Sequence, residues 1–160
     1  MSNFLPTKME PDGLGFSEYY DLVYEVFLED FLENPPVFQG RKVVILKQFL
    51  DEETKYECFV HITSKGPTTR DRLFCYERTK RVPWIKPMIE NSDDPSLLRW
   101  YDEHNPKGAS WSIYHPNERY LVVIREINKI KSGRILITAY CVEGDSSHQK
   151  LLKYSKKYKK

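Results

Sequence analysis

Two neighbouring stretches rich in β-branched and aromatic residues constrain the fold of this chain most strongly. RYLVVIREI (119–127) and RILITAYCV (134–142) are joined by the turn NKIKSG, and this pattern predicts an antiparallel β-hairpin. Because side chains alternate across a strand, Leu136, Thr138 and Tyr140 are predicted to share one face of the second strand. Packing in a core accounts for Leu136 but leaves two hydroxyl groups to be satisfied. That face is therefore a candidate functional surface.

The other patterns place strands in consecutive runs and set the helices apart from them. KVVILKQF and YECFVHIT predict a second hairpin, with His61 near the end of its second strand. The result is an α+β class: an antiparallel β-sheet of four to five strands, with an N-terminal helix and a C-terminal helix packed against it. Strands are predicted at 42–49, 56–63, 97–101 and 110–114, and amphipathic helices at 16–34 and 146–160.

The segment between these runs, residues 67–91, is ambiguous. PTTRDRLFCYERTK fits a short helix capped by Thr68 or Thr69. Pro83 and Pro87 then predict an extended or turning path for VPWIKP. Trp84 is predicted to be a core residue rather than a platform on which a base stacks.

Charge is spread unevenly along the chain, although the net charge is only +2. Residues 1–34 hold eight acids and one lysine, whereas residues 61–91 hold seven Lys/Arg and three acids, and 146–160 hold six lysines and no acid. This asymmetry predicts a basic face opposite an acidic helix. A basic face suits a polyanion, but lysine-rich tails also serve solubility, and the tail alone does not decide between the two.

Several function classes lack their sequence signals. The four histidines are far apart, and there is no HExxH, EF-hand loop or CxxC, so no metal or other cofactor is expected. Glycine-rich phosphate loops and a GxSxG elbow are also missing. No apolar run is long enough to span a membrane, and no secretory signal opens the chain. Three unpaired, widely spaced cysteines fit a reducing, cytoplasmic setting.

Metal-free cleavage of RNA is the chemistry that the remaining residues suit. It needs a proton-transfer group and cations that neutralise the charge on the phosphorane. His61 can transfer protons near neutral pH. Arg78 and Arg81 offer planar forks for phosphate oxygens, and Lys65 and Lys86 add point charge.

Each of these residues also has a purely structural interpretation. A lone histidine is more often a surface or hydrogen-bonded residue than a catalyst. Glu77 and Arg81 stand at i,i+4, so a helix there would make them a surface ion pair worth a few tenths of a kcal/mol.

Three pieces read together carry a family resemblance: FVHIT, then FCYERTKRVPWIKPMIEN, then the paired strands ending in TAY. Over residues 40–157 the chain resembles phage-associated members of the nuclease superfamily that groups barnase, EndoU, colicin-type tRNases and RelE-type toxins. The resemblance implies one RelE/barnase-like domain over residues 1–160, with 1–15 irregular. By position, His61, Arg78, Arg81, Thr138 and Tyr140 match its catalytic residues.

The resemblance implies a metal-independent endoribonuclease that leaves a 2′,3′-cyclic phosphate, of the toxin or phage-conflict type. Its partners would be tRNA or mRNA and an antitoxin or immunity protein, with no membrane. The alternatives are a non-catalytic RNA- or protein-binding module on the same scaffold, and an interaction protein that works through its acidic helix. RNA-binding lysines are predicted at Lys65, Lys86, Lys150, Lys153, Lys156 and Lys157.

Overall fold

The computed structural model describes residues 4–49, 54–68, 71–127 and 133–158. Five α-helices and eight strands are described, and α1 continues into a π-helix (Glu29–Glu33) while a 3₁₀ turn (Val82–Trp84) precedes α4. The helices are α1 (Phe16–Leu28), α2 (Glu57–Ile62), α3 (Tyr76–Thr79), α4 (Ile85–Glu90) and α5 (Asp145–Lys157). The strands are β1 (Val37–Phe38), β2 (Arg41–Lys42), β3 (Ser64–Lys65), β4 (Leu73–Phe74), β5 (Leu98–Asp102), β6 (Ser110–His115), β7 (Tyr120–Glu126) and β8 (Arg134–Cys141).

The main sheet has four antiparallel strands in the order β5-β6-β7-β8, and two small hairpins, β1-β2 and β3-β4, lie outside it. The predicted α+β class is confirmed, as are the four strands of the C-terminal half and the two terminal helices. Most of the turn predicted between β7 and β8, residues 128–132, lies outside the described residues.

The sheet separates two apolar clusters. One face packs with α1, α2 and α4, and its fully buried residues include Phe27, Phe59 and Met88. The other face packs with α5 around Trp100 and Tyr114. Complete burial of one such side chain contributes roughly 1.5–3 kcal/mol. The α5 helix is therefore attached to the sheet by core contacts, which fixes where its lysines lie.

The strand predicted at 56–63 is wrong, because residues 57–62 form α2. Phe59 and Ile62 are both 0% exposed, and their spacing of three residues points both into the first cluster. A short apolar run does not by itself distinguish a strand from a helix, so the packing decided. The partner strand at 42–49 is reduced to β2 and two single bridges, Val44 to Ile135 and Phe49 to Tyr56.

The ambiguous segment is more helical at its end than the prolines suggested. Instead of a helix from Thr68, the chain forms strand β4 and then the short helix α3. Pro83 lies at the start of the 3₁₀ turn and Pro87 in the first turn of α4, where a missing N–H costs no hydrogen bond. Trp84 is a core residue as predicted, 4% exposed.

Candidate functional site

A β-bulge determines which side chains of β8 share a face. The pairing of β7 with β8 shifts between Val123 and Ile124, so Val123 opposes Thr138 while Ile124 opposes Leu136. One extra residue in a strand reverses the alternation beyond it. Leu136 consequently packs in the first cluster, while Tyr140 packs against the second. The prediction that Leu136 shares the face of Thr138 and Tyr140 is wrong for this reason.

His61 is brought to Thr138 by α2, which packs against β8. Its Nε2 lies 3.0 Å from Oγ1 of Thr138, a hydrogen bond between residues 77 positions apart. The neighbours of His61 along α2, Val60 and Ile62, are half-buried and buried, so the helix is held in place while its imidazole faces the sheet edge. Two of the predicted site residues are therefore in direct contact.

Arg72 holds the end of α2 in position. Its guanidinium donates to the backbone oxygens of His61 at 2.9 Å and Gly66 at 3.1 Å, and its Nε donates to Oγ of Ser64 at 2.9 Å. A cation at the C-terminal end of a helix satisfies carbonyls that the helix leaves free. The sequence interpretation missed Arg72, because it was counted only as part of a basic segment.

Arg78 joins the cluster from α3. Its Nη1 donates to the backbone oxygen of Ser64 at 2.6 Å, and its guanidinium carbon lies 5.5 Å from the centre of the Tyr140 ring. Arg78 also lies near enough to His61 to lower the pKa of the imidazole. Four of the five predicted catalytic residues thus form one group at the edge of β8: His61, Arg78, Thr138 and Tyr140.

Arg81 does not point into this group. Its Nη1 donates to the side chain of Glu77 at 2.9 Å and to the Glu77 backbone oxygen at 2.7 Å. The guanidinium stacks 5.2 Å from the Trp84 ring, and the side chain is only 11% exposed. The i,i+4 ion pair between Glu77 and Arg81 that the sequence analysis considered is therefore formed. It uses guanidinium N–H groups that a bound phosphate would need.

The predicted lysines are scattered. Lys65 is paired with Glu143 at 3.0 Å, and Lys86 donates to the backbone oxygen of Asn34 at 2.6 Å, at the end of the π-helix. Lys150 lines a hollow beside Tyr140. Lys153, Lys156 and Lys157 are exposed on α5 and line neither of the two cavities described below.

A cleft of about 280 Å³ opens beside His61. Besides His61 it is lined by Glu57, Lys107 and Arg125, none of which the sequence interpretation singled out. Nε of Arg125 is buried, with no hydrogen-bond partner among the described residues. The aliphatic part of the Arg125 side chain passes close to Gly108. A Cβ added at Gly108 would lie 3.0 Å from Cδ of Arg125. The strand predicted over residues 56–63 also puts Glu57 and His61 on one face, but about 13 Å apart along the strand. Only a helix makes residues at i,i+4 neighbours.

Burial and charge keep the imidazole of His61 neutral. Burial, followed by the charges of Arg72 and Arg78, lowers its pKa to about 4. Burial likewise raises the pKa of the Tyr140 hydroxyl, against the opposing effect of Arg78 and Lys150. At neutral pH the cleft therefore presents a neutral imidazole, able to accept a proton, in a lining that also holds two cationic side chains, Lys107 and Arg125, and the side chain of Glu57.

In the part of the chain that the structure describes, no three His, Cys, Asp or Glu side chains are grouped so as to hold a metal ion. Over the same residues, none of the helices combines the length and apolar character that crossing a bilayer requires. Comparison of the chain with models of protein families, with curated proteins and with solved structures finds no match in any of the three. The interpretation of the site therefore rests on its own geometry.

Proposed function

We propose that this protein is a metal-independent endoribonuclease whose active site is the cleft beside His61. The observation that carries the proposal is the position of a neutral imidazole, hydrogen-bonded to Thr138, on the wall of an open cleft that also holds Lys107 and Arg125. A proton acceptor next to fixed cations is what transesterification of RNA requires.

In the proposed reaction His61 takes the proton of a ribose 2′-hydroxyl, and the 2′-oxygen forms a bond to phosphorus. The bond from phosphorus to the 5′-oxygen breaks, a proton from solvent goes to that oxygen, and the imidazolium later returns its proton to solvent. Arg125 and Lys107, which line the cleft, stabilise the charge on the phosphorane. Thr138 holds the ring of His61, and Arg72 is a positioning residue that fixes the end of α2.

The test is incubation of labelled RNA with the protein in EDTA. Cleavage by the wild-type protein is expected to leave a 2′,3′-cyclic phosphate and to disappear when the scissile nucleotide is 2′-deoxy. His61→Gln is expected to lose at least 100-fold in rate, the order of magnitude of general acid–base catalysis. His104→Gln is the matched control, because that side chain is 83% exposed and contacts Glu103. Cleavage that persists in His61→Gln, or on the 2′-deoxy substrate, refutes the mechanism.

One observation favours the second candidate, a non-catalytic RNA-binding module. Arg72 and Arg78 donate to backbone oxygens, and Arg81 is engaged by Glu77. Arginines used in this way stabilise a scaffold whether or not it turns over a substrate. Binding of RNA with no cleavage by the wild-type protein would select this candidate.

The resemblance extends the proposal to biology. We infer a toxin or phage-conflict effector that acts on tRNA or ribosome-associated mRNA in the cytoplasm, with an antitoxin or immunity protein as its partner. The three free cysteines support a reducing compartment. Growth arrest on expression, relieved by His61→Gln but not by His104→Gln, is the expected result. Equal growth of cells that express the wild-type protein and His61→Gln contradicts a toxin role.

A further inference from the structure

A second hollow lies beside the cluster, between α5 and the end of β8. It has a volume of about 260 Å³, and its lining includes Tyr140 from the strand and Lys150, Leu151 and Tyr154 from the helix. This volume is just below the range typical of sites for whole ligands, so it suits one ring system with its polar substituents. Two aromatic rings beside a cation make a wall suited to a flat, polar ring attached to an anion.

The hollow and the proposed active site lie along the same strand, β8. Thr138, which binds His61, and Tyr140, which lines the hollow, lie two residues apart on the same face. Two residues of strand span roughly 6–7 Å. A ligand that extends along this face from the cleft beside His61 therefore reaches the hollow at its next unit.

Charge around the hollow also favours a polyanion. The guanidinium of Arg78 lies 5.5 Å from the Tyr140 ring, and both Arg78 and Lys150 act on the hydroxyl of Tyr140. Lys150 also lies 5.7 Å from the ring of Tyr154. Glu143 is the acid in the lining, and its carboxylate is already paired with Lys65 at 3.0 Å.

We propose that the hollow between α5 and β8 is a subsite for an unstacked nucleotide of single-stranded RNA, the first nucleotide beyond the two that the scissile phosphodiester joins. Tyr140 and Tyr154 stack on the base, and Lys150 and Arg78 hold its phosphate. The base must be unstacked to enter, so a single strand binds and a duplex does not. This subsite rests on the proposed ribonuclease function, since it places its nucleotide relative to the cleft beside His61.

The position of the lysines on α5 supplies a matched control. Ser147, Lys150, Leu151 and Tyr154 line the hollow at helical spacing, which puts them on one side of α5. Lys156 is nine residues from Ser147, half a turn away from it at 3.6 residues per turn. Lys150→Ala and Lys156→Ala remove the same charge from exposed positions, so neither change threatens folding.

The experiment measures cleavage in EDTA on oligoribonucleotides that increase in length from a dinucleotide to an octanucleotide. Wild-type kcat/KM is expected to rise with length once the subsite is filled. In Lys150→Ala and Tyr154→Leu that rise in kcat/KM is expected to be about tenfold smaller, mostly through a higher KM. Lys156→Ala is expected to keep the wild-type rise with length, because Lys156 does not line the hollow and any attraction it exerts on the RNA backbone is not specific to this subsite. If all three variants follow the wild-type length dependence, the subsite is refuted.

Binding separates this inference from the proposed function. Fluorescence anisotropy with a 2′-deoxy octanucleotide does not depend on cleavage. If the wild-type protein cleaves nothing, yet Lys150→Ala and Tyr154→Leu weaken this binding about tenfold and Lys156→Ala does not, the ribonuclease proposal fails and the nucleotide-binding hollow stands. If cleavage is also absent and all four proteins bind alike or not at all, both proposals fail.

Discussion

The depressed pKa of His61 should make the protein lose stability in mildly acidic solution. In the unfolded chain a histidine gains its proton as the pH falls through about 6.5. In the folded protein burial and the charges of Arg72 and Arg78 lower the pKa of His61 to about 4. Between these values the unfolded state binds more protons, so the free energy of unfolding falls with falling pH and the loss is complete below about pH 4.

The size of the effect follows from the interval between the two pKa values. Each pH unit corresponds to at most about 1.4 kcal/mol. Because the imidazole is only partly buried, solvent screening reduces the total to about 1–2 kcal/mol. Other groups titrate over the same range, so the quantity to measure is the difference between the wild-type protein and His61→Gln. The variant keeps a side chain that can bind Thr138 but cannot take up the proton.

Urea unfolding, followed by tryptophan fluorescence from pH 7 to pH 4, gives the free energy of unfolding of the wild-type protein and of His61→Gln as a function of pH. Over this range the free energy of unfolding of the wild-type protein is expected to fall by about 1–2 kcal/mol more than that of His61→Gln. His104→Gln is expected to match the wild-type protein. In an NMR titration, Arg78→Met should raise the pKa of His61, because a neighbouring positive charge is removed. Parallel curves for wild type and His61→Gln, or an imidazole that titrates near its ordinary pKa, would refute this reasoning.

Three further changes test other parts of the structure. Burial raises the pKa of Asp30 to about 6, against the attraction of Lys86, so the charged carboxylate opposes folding at neutral pH. Asp30→Asn should therefore raise the free energy of unfolding at pH 7 by about 1 kcal/mol. This gain should shrink as the pH falls toward 4, because the carboxylate of the wild-type protein then becomes protonated. Gly66→Ala should lower the free energy of unfolding by about 1–3 kcal/mol, because the added Cβ would lie 2.4 Å from the backbone oxygen of Asp71. Gly15→Ala is the control: its Cβ would meet nothing within 4 Å, and no measurable change is expected in the same urea unfolding. Trp84→Ala should cost about 3–5 kcal/mol, since the buried ring also donates from Nε1 to the backbone oxygen of Pro6 at 2.8 Å; a loss below 1 kcal/mol in thermal or urea unfolding would contradict its place in the core.

The C-terminal half was predictable because its signals are strong and local. Long alternating runs set β7 and β8, and the helical periodicity of residues 146–160 set α5. The strand predicted for residues 56–63 was wrong because β-branched and aromatic residues favour a strand when considered alone. Phe59 and Ile62 become buried together only on a helix. That one error concealed that Glu57 and His61 are neighbours, about one helical turn apart.

The amino-acid sequence by itself determined the α+β class, the antiparallel sheet of the C-terminal half, its terminal helices and the identity of four residues in the cluster, because these depend on periodicity and residue type. Only the tertiary structure decided which side chains meet. The bulge in β8 turns Leu136 away from the face that Thr138 and Tyr140 share, and α2 brings His61 to Thr138. Packing also brought Lys107 and Arg125 to the cleft. Contacts between residues far apart in the chain depend on how the elements pack, and no local pattern records that.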